Sequence, residues 1–139
     1  MKSDELVKEI LTVINTLREQ DMGTLSGDTL SRLAVKLASY KASLGEYVAD
    51  VKKLTLDAEA EYYAVRAKEY QRLRDKGKGS TDAEELKRIG SREAFLAWNK
   101  AKYNDTLITT LHRDCHDLID GIKSRLIHLQ EESKESRVY

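Results

Sequence analysis

Residues 28–58, DTLSRLAVKLASYKASLGEYVADVKKLTLDA, decide the fold. Leu30, Leu33, Leu37, Tyr40, Leu44, Tyr47, Val51, Leu54 and Ala58 alternate three and four residues apart through four heptads. An average spacing of 3.5 keeps one apolar stripe turned toward a partner helix, which is the condition for coiled-coil packing. Gly45 lies inside this run; it weakens a helix by about 1 kcal/mol relative to alanine without stopping it. After Ala58 the apolar face shifts to Tyr62, Tyr63, Ala67 and Tyr70, and helix-forming residues continue to Arg74. The pattern predicts one helix over residues 28–76.

On the N-terminal side, Ser3-Asp4-Glu5 supplies a cap and acids suited to the positive end of a helix dipole. Leu6, Val7, Ile10, Leu11, Ile14 and Leu17 then recur at helical spacing, so a short helix is expected over residues 4–20. Residues 21–27, with Gly23 and Gly27, form a turn. On the C-terminal side, Lys76-Gly77-Lys78-Gly79-Ser80 is the strongest turn signal in the chain. Thr81-Asp82-Ala83-Glu84 follows with the form of a capping box. A third helix is therefore expected over residues 82–133, carrying the seam Ile108, Leu111, Cys115, Leu118, Ile122, Arg125 and Leu129, with bends possible at Gly90 and Gly121. The two long helices come out nearly equal, about 48 residues and roughly 70 Å each if straight. A short connection makes them antiparallel neighbours.

The expected fold is all-α in a single domain: a short N-terminal helix and a coiled-coil-like hairpin of two long helices. A hairpin buries one stripe of each helix, and the apolar residues left over predict a homo-oligomer. The absence of proline, with only seven glycines and 35% charged residues, suits long uninterrupted helices. One phenylalanine and one tryptophan join seven tyrosines, so the core must be chiefly aliphatic.

Basic and acidic residues number 24 each, so total charge decides nothing about nucleic acid. The single Cys115 has no internal disulfide partner, no stretch reads as a signal peptide, and no apolar run approaches the roughly 18 residues of a membrane span. A cytoplasmic protein without a membrane partner is expected. Catalytic patterns are weak. His112 and His116 share a helical face but lack a third ligand, so no metal is expected. Cys115 falls in the apolar seam and reads as a small hydrophobe. Gly77-Lys78-Gly79-Ser80 lacks the spacing of a phosphate-binding loop. No cofactor and no catalytic residue are assigned, and the chain reads as a non-enzyme.

Local charge is more informative. Arg66, Lys68, Arg72, Arg74, Lys76 and Lys78 face only Glu69 and Asp75 over the same stretch. Tyr62, Tyr63 and Tyr70 are interleaved with them, and Lys87, Arg88 and Arg92 return near the same end. Basic groups neutralise phosphates and tyrosine faces stack on unpaired bases, so Arg66, Lys68, Tyr70, Arg72, Arg74, Lys76 and Lys78 form a candidate surface for single-stranded nucleic acid. The other reading is a solvated helix end whose cations complement the dipole.

Two segments carry a family resemblance. Val65-Arg66-Ala67-Lys68 followed by Glu69-Tyr70, and Asp120-Gly121-Ile122-Lys123-Ser124-Arg125 continuing to His128-Leu129-Gln130, resemble the UvsY-type recombination mediators of tailed phages. That resemblance, which extends loosely over residues 30–130, implies a small helical oligomer that binds single-stranded DNA and helps load a RecA-like recombinase, with a single-strand-binding protein as a further partner. It implies DNA contact by Arg66 and Lys68 and assembly through Leu118, Ile122, Leu126 and Leu129 of the C-terminal helix, to which the apolar seam adds Leu111 and Cys115 as candidate assembly residues. For a phage protein the compartment would be the host cytoplasm. A helical scaffold or adaptor with no affinity for nucleic acid is the alternative.

Overall fold

A computed structural model describes the backbone of residues 3–138 and the side chains of residues 3–135. Four α-helices follow one another: α1 Ser3–Glu19, α2 Gly27–Asp75, α3 Ser80–Gly90 and α4 Arg92–Val138. A single 3₁₀ turn, Met22–Thr24, joins α1 to α2, and no strand occurs among the described residues. The chain is all-helical, and the long helices α2 and α4 pack against each other.

Local chemistry sets the ends. The Asp21 carboxylate accepts from the Gly23 amide at 2.9 Å, and the Thr24 hydroxyl donates to the Asp21 carbonyl at 2.7 Å. Ser26 caps α2, its hydroxyl oxygen accepting from the Thr29 amide at 3.2 Å. At the other end Lys78 N–H bonds to the Leu73 carbonyl and Gly77 N–H to the Arg74 carbonyl, the paired bonds of a Schellman motif. Gly77 takes φ +87°, where a side chain would be strained.

Two expectations change here. The capping box at Thr81 to Glu84 does not form: α3 already begins at Ser80, its N-cap is Gly79, and no side chain bonds there. Glu84 pairs instead with Lys87 one turn on. The single helix expected over residues 82–133 is divided, because Ser91 leaves helical geometry at φ −103°, ψ 7°. Gly90 lies at that break with the Glu69 side chain of α2 packed over it, so that a Cβ there would lie 2.8 Å from Cγ of Glu69 and would push that flexible side chain aside.

The chain forms two compact units. The first comprises α1, α2 as far as Tyr47, and α4 from Ile108 onward. It is a three-helix bundle. The α1 stripe of Leu6, Ile10, Ile14 and Leu17 is buried, as are Leu30, Leu37, Tyr40 and Leu44 of α2 and Ile108, Leu111, Cys115, Ile119 and Ile122 of α4. Fully burying a leucine or isoleucine contributes about 1.5–3 kcal/mol, so this layer supplies most of the apolar stabilisation in the unit. Lys41 Nζ lies 2.8 Å from Nδ1 of His116, and Arg18 reaches Asp114 at 3.7 Å.

Tyr40 shows how a polar group is accommodated in that core. Its hydroxyl donates to the Glu9 carboxylate at 2.7 Å. Burial, then the bond to Glu9, pushes the phenol above its ordinary value of about 10. The folded state therefore keeps a proton that the unfolded state gives up above pH 10, so this contribution is complete below pH 10 and declines as pH rises further. Tyr40→Phe is expected to cost about 1 kcal/mol at neutral pH. It should also flatten the fall of stability between about pH 10 and 11, which urea unfolding across that range will measure.

The second unit is Val48–Leu107. Here α2 and α4 run antiparallel as a pair, with α3 folded over one end. Small residues let the pair approach: the Thr55 hydroxyl lies 2.8 Å from the Val51 carbonyl and 3.1 Å from the Ala101 carbonyl across the helices. The seam expected through Ala58 does not stay covered, for Leu54 is 60% exposed. Buried residues are few, Leu73, Ala83 and Ser91, and aromatic rings fill the middle.

Candidate nucleic-acid interface

The aromatic layer of the second unit is built from α2 and α4. Tyr62 stacks on Trp98 with centroids 5.3 Å apart and planes at 27°. Phe95 and Tyr63 tilt against Tyr62 at 5.6 and 5.3 Å. Lys102 Nζ lies 3.8 Å from the Trp98 ring centroid, a close cation–π contact. Residues 95, 98 and 102 share one side of α4, which is why one helix can supply both rings and charge to it.

At the break between α3 and α4 this layer opens into a cleft of about 340 Å³ lined by Tyr62, Arg66, Arg88, Ser91, Arg92 and Phe95. Three guanidinium groups and two aromatic rings meet there; no carboxylate lines it, and Glu84, outside the lining, lies within electrostatic reach of Arg66 and Arg88. Each arginine comes from a different helix: Arg66 from α2, Arg88 from the last turn of α3, Arg92 from the first residue of α4. Ser91 holds the junction, almost wholly buried, its hydroxyl donating to the Lys87 carbonyl at 2.7 Å. Arg66 is fixed by Tyr62, with Nη1 3.4 Å from the phenol oxygen and the guanidinium 5.9 Å from the ring centroid. Its buried Nε has no protein partner. Such a donor set is suited to an anion with flat groups beside it.

The structure sorts the basic residues expected to act together. Arg66 lines the cleft. Arg72 is held by Glu69 at 2.8 Å, and that hydrogen bond lowers the Glu69 carboxyl below its usual range. Arg74 turns back to donate to the Lys78 carbonyl at 3.2 Å and closes the end of α2. Tyr70 lies beneath Lys87, whose Nζ is 5.4 Å from the ring centroid. Lys87 also pairs with Glu84, and its hydrogen bond is the main cause of the lowered Glu84 carboxyl. Lys68, Lys76 and Lys78 are exposed to solvent. Phe95 and Trp98 were absent from the sequence-based site, and Arg88 and Arg92 entered only as neighbours; the Gly90-Ser91 pair was the available signal for the break that gathers them.

The candidate assembly residues are also divided. Leu111, Cys115 and Ile122 are enclosed within the three-helix unit, so in this packing their apolar surface is spent inside the chain. Leu118, Leu126 and Leu129 are half-buried. Arg125 reaches the Gly23 carbonyl at 3.4 Å, a partner within its own unit. Burial pushes the Cys115 thiol up to about 11, which keeps it protonated and unreactive at neutral pH. His116 accepts from Lys41 and reaches Asp120 at 3.3 Å, and no group of three or more metal-binding side chains occurs among the described residues. No described helix is long and apolar enough to cross a membrane.

Comparison with protein-family models, with curated proteins and with solved structures returned no match.

Proposed function

We propose that this protein is a non-catalytic single-stranded DNA-binding protein of the recombination-mediator type, acting as an oligomer that helps load a RecA-like recombinase. The observation that carries the binding reading is the cleft where Arg66, Arg88 and Arg92 surround Tyr62 and Phe95 without a carboxylate. Guanidinium groups pair with backbone phosphates, while the exposed faces of Tyr63 and Phe95, 52% and 41% accessible, can stack on unpaired bases. A duplex hides its base faces, so this chemistry favours single strands. One cleft makes few phosphate contacts, and joining several in an oligomer raises the effective concentration for each further contact. Apolar side chains left open, such as Leu56 and Ile127 at 66% and 57%, support assembly. The resemblance of residues 65–70 and 120–130 to UvsY-type mediators supports the recombinase-loading role, with a single-strand-binding protein as the second partner.

Trp98 is the only tryptophan and stacks directly on Tyr62, so its fluorescence reports on the cleft. Adding an unstructured oligothymidylate should quench it in a saturable way, while light scattering on the same samples gives subunit number with and without DNA. Scattering at the mass of one chain throughout would remove the oligomer from the proposal. An unchanged Trp98 signal with no DNA bound would favour a helical adaptor acting on proteins alone.

A further inference from the structure

The second unit has a further surface groove that shares no residue with the arginine cleft. Val51, Leu54 and Ala58 of α2 and Ala97, Lys100, Ala101 and Asn104 of α4 line this open, largely apolar groove of about 280 Å³. The groove exists because alanines and Thr55 form the α2–α4 contact, leaving a shallow channel where larger side chains would have closed over it. From Val51 to Ala58 it extends along about two helical turns, roughly 10 Å.

The rims decide what fits. On α2, Asp50, Leu54, Asp57 and Glu61 follow at i, i+4, i+7 and i+11, which is one ridge of the helix. On α4, Glu93, Ala97, Lys100 and Asn104 follow with the same spacing and form the facing ridge. By this spacing four carboxylates fall beside the lining residues, while Lys100 is the one charged residue of the lining itself. None of Asp50, Asp57, Glu61 and Glu93 is in an ion pair among the described residues. A two-fold pairing of two such grooves would set acidic rims against acidic rims, which opposes a second copy of this chain as the occupant.

We infer that this groove docks one amphipathic helix of a partner protein, with apolar anchors at i, i+3 or i+4 and i+7 and lysine or arginine along both flanks. Apolar anchors fill the channel over Leu54 and the alanines, and the flanking cations meet the free carboxylates. The occupant is a positively charged protein segment, and nucleic acid is excluded by the sign of the rims. Because the groove and the arginine cleft share no lining residue, both can be filled at once, and this surface does not depend on the DNA reading.

The test titrates the intact protein with an 18-residue helical peptide of leucine and lysine in amphipathic register, and with the same peptide carrying glutamate for lysine, by isothermal calorimetry. The lysine peptide should bind at least tenfold tighter than the glutamate peptide. Leu54→Glu should weaken the lysine peptide at least tenfold, although it adds negative charge; nonspecific attraction predicts the reverse. Asp57→Lys with Glu61→Lys, both on exposed positions, should bring the two peptides to within threefold of each other. Equal binding of the two peptides by the unaltered protein would overturn the inference, as would tight lysine-peptide binding by Leu54→Glu. A dimer dissolved by Leu54→Glu would overturn it too, by placing a second copy in the groove.

Discussion

Replacing Arg88 and Arg92 together by alanine should weaken binding of single-stranded DNA about 25-fold at 0.1 M salt. On the proposed function each arginine in the cleft would neutralise one phosphate and release a condensed counterion, and on a single strand each such contact contributes about −0.7 to the slope of log affinity against log salt. At 0.1 M that is about fivefold in affinity per arginine, and the slope should become shallower by about 1.4. Both side chains are exposed at the α3–α4 junction, so far-ultraviolet circular dichroism should stay unchanged. The comparison variant is Arg72→Ala. Arg72 is already occupied by Glu69 and lies outside the cleft, so its loss should change affinity less than threefold. Equal losses for Arg72→Ala and the double variant would mean that the whole basic end binds diffusely and that the cleft has no special part.

Ile10→Ala should lower stability by about 3 kcal/mol and the melting temperature by about 10 °C. Ile10 has no solvent exposure and sits in the middle of the α1 stripe, between the buried rows of α2 and α4. Its removal takes away the transfer energy of the lost methylenes and leaves a cavity that rigid helices cannot fully close. Val35→Ala on α2 is the matched control. Val35 is 71% exposed, so the change should stay within about 0.5 kcal/mol. Urea unfolding followed by circular dichroism measures both. A small effect at Ile10 would mean that α1 contributes little to the bundle and that its burial is incidental.

The helical class and the packing of α2 on α4 were readable because the 3.5-residue apolar spacing runs on for four heptads and proline is absent. The turn at Gly77 was readable for a local reason, since a glycine after a charged helix end is the residue that tolerates positive φ. The break at Ser91 was readable only in part. Gly90 marked a place where the helix could bend, but a glycine can also sit within a helix, and the packing of the Glu69 side chain over it from 21 positions earlier is not encoded by any local pattern. The same limit governs the candidate site. Spacing identified a basic, tyrosine-rich end, and Arg66 belongs to the cleft. Spacing could not tell that Arg72 and Arg74 are held by Glu69 and by the Lys78 carbonyl, or that Phe95 and Trp98 would pack on Tyr62 from the other long helix. The C-terminal seam shows a further ambiguity: the same apolar repeat serves a partner within the chain or in another chain, and here Leu111, Cys115 and Ile122 are buried within the three-helix unit.

The central claim is that three arginines and the aromatic layer beside them hold single-stranded DNA, and it is tested most directly by the salt dependence of binding to a labelled oligothymidylate. With Arg66, Arg88 and Arg92 each neutralising a phosphate, log affinity should fall against log salt with a slope of about −2 per cleft, with little change when the base composition is altered. A flat dependence, or no binding at low salt, would contradict it.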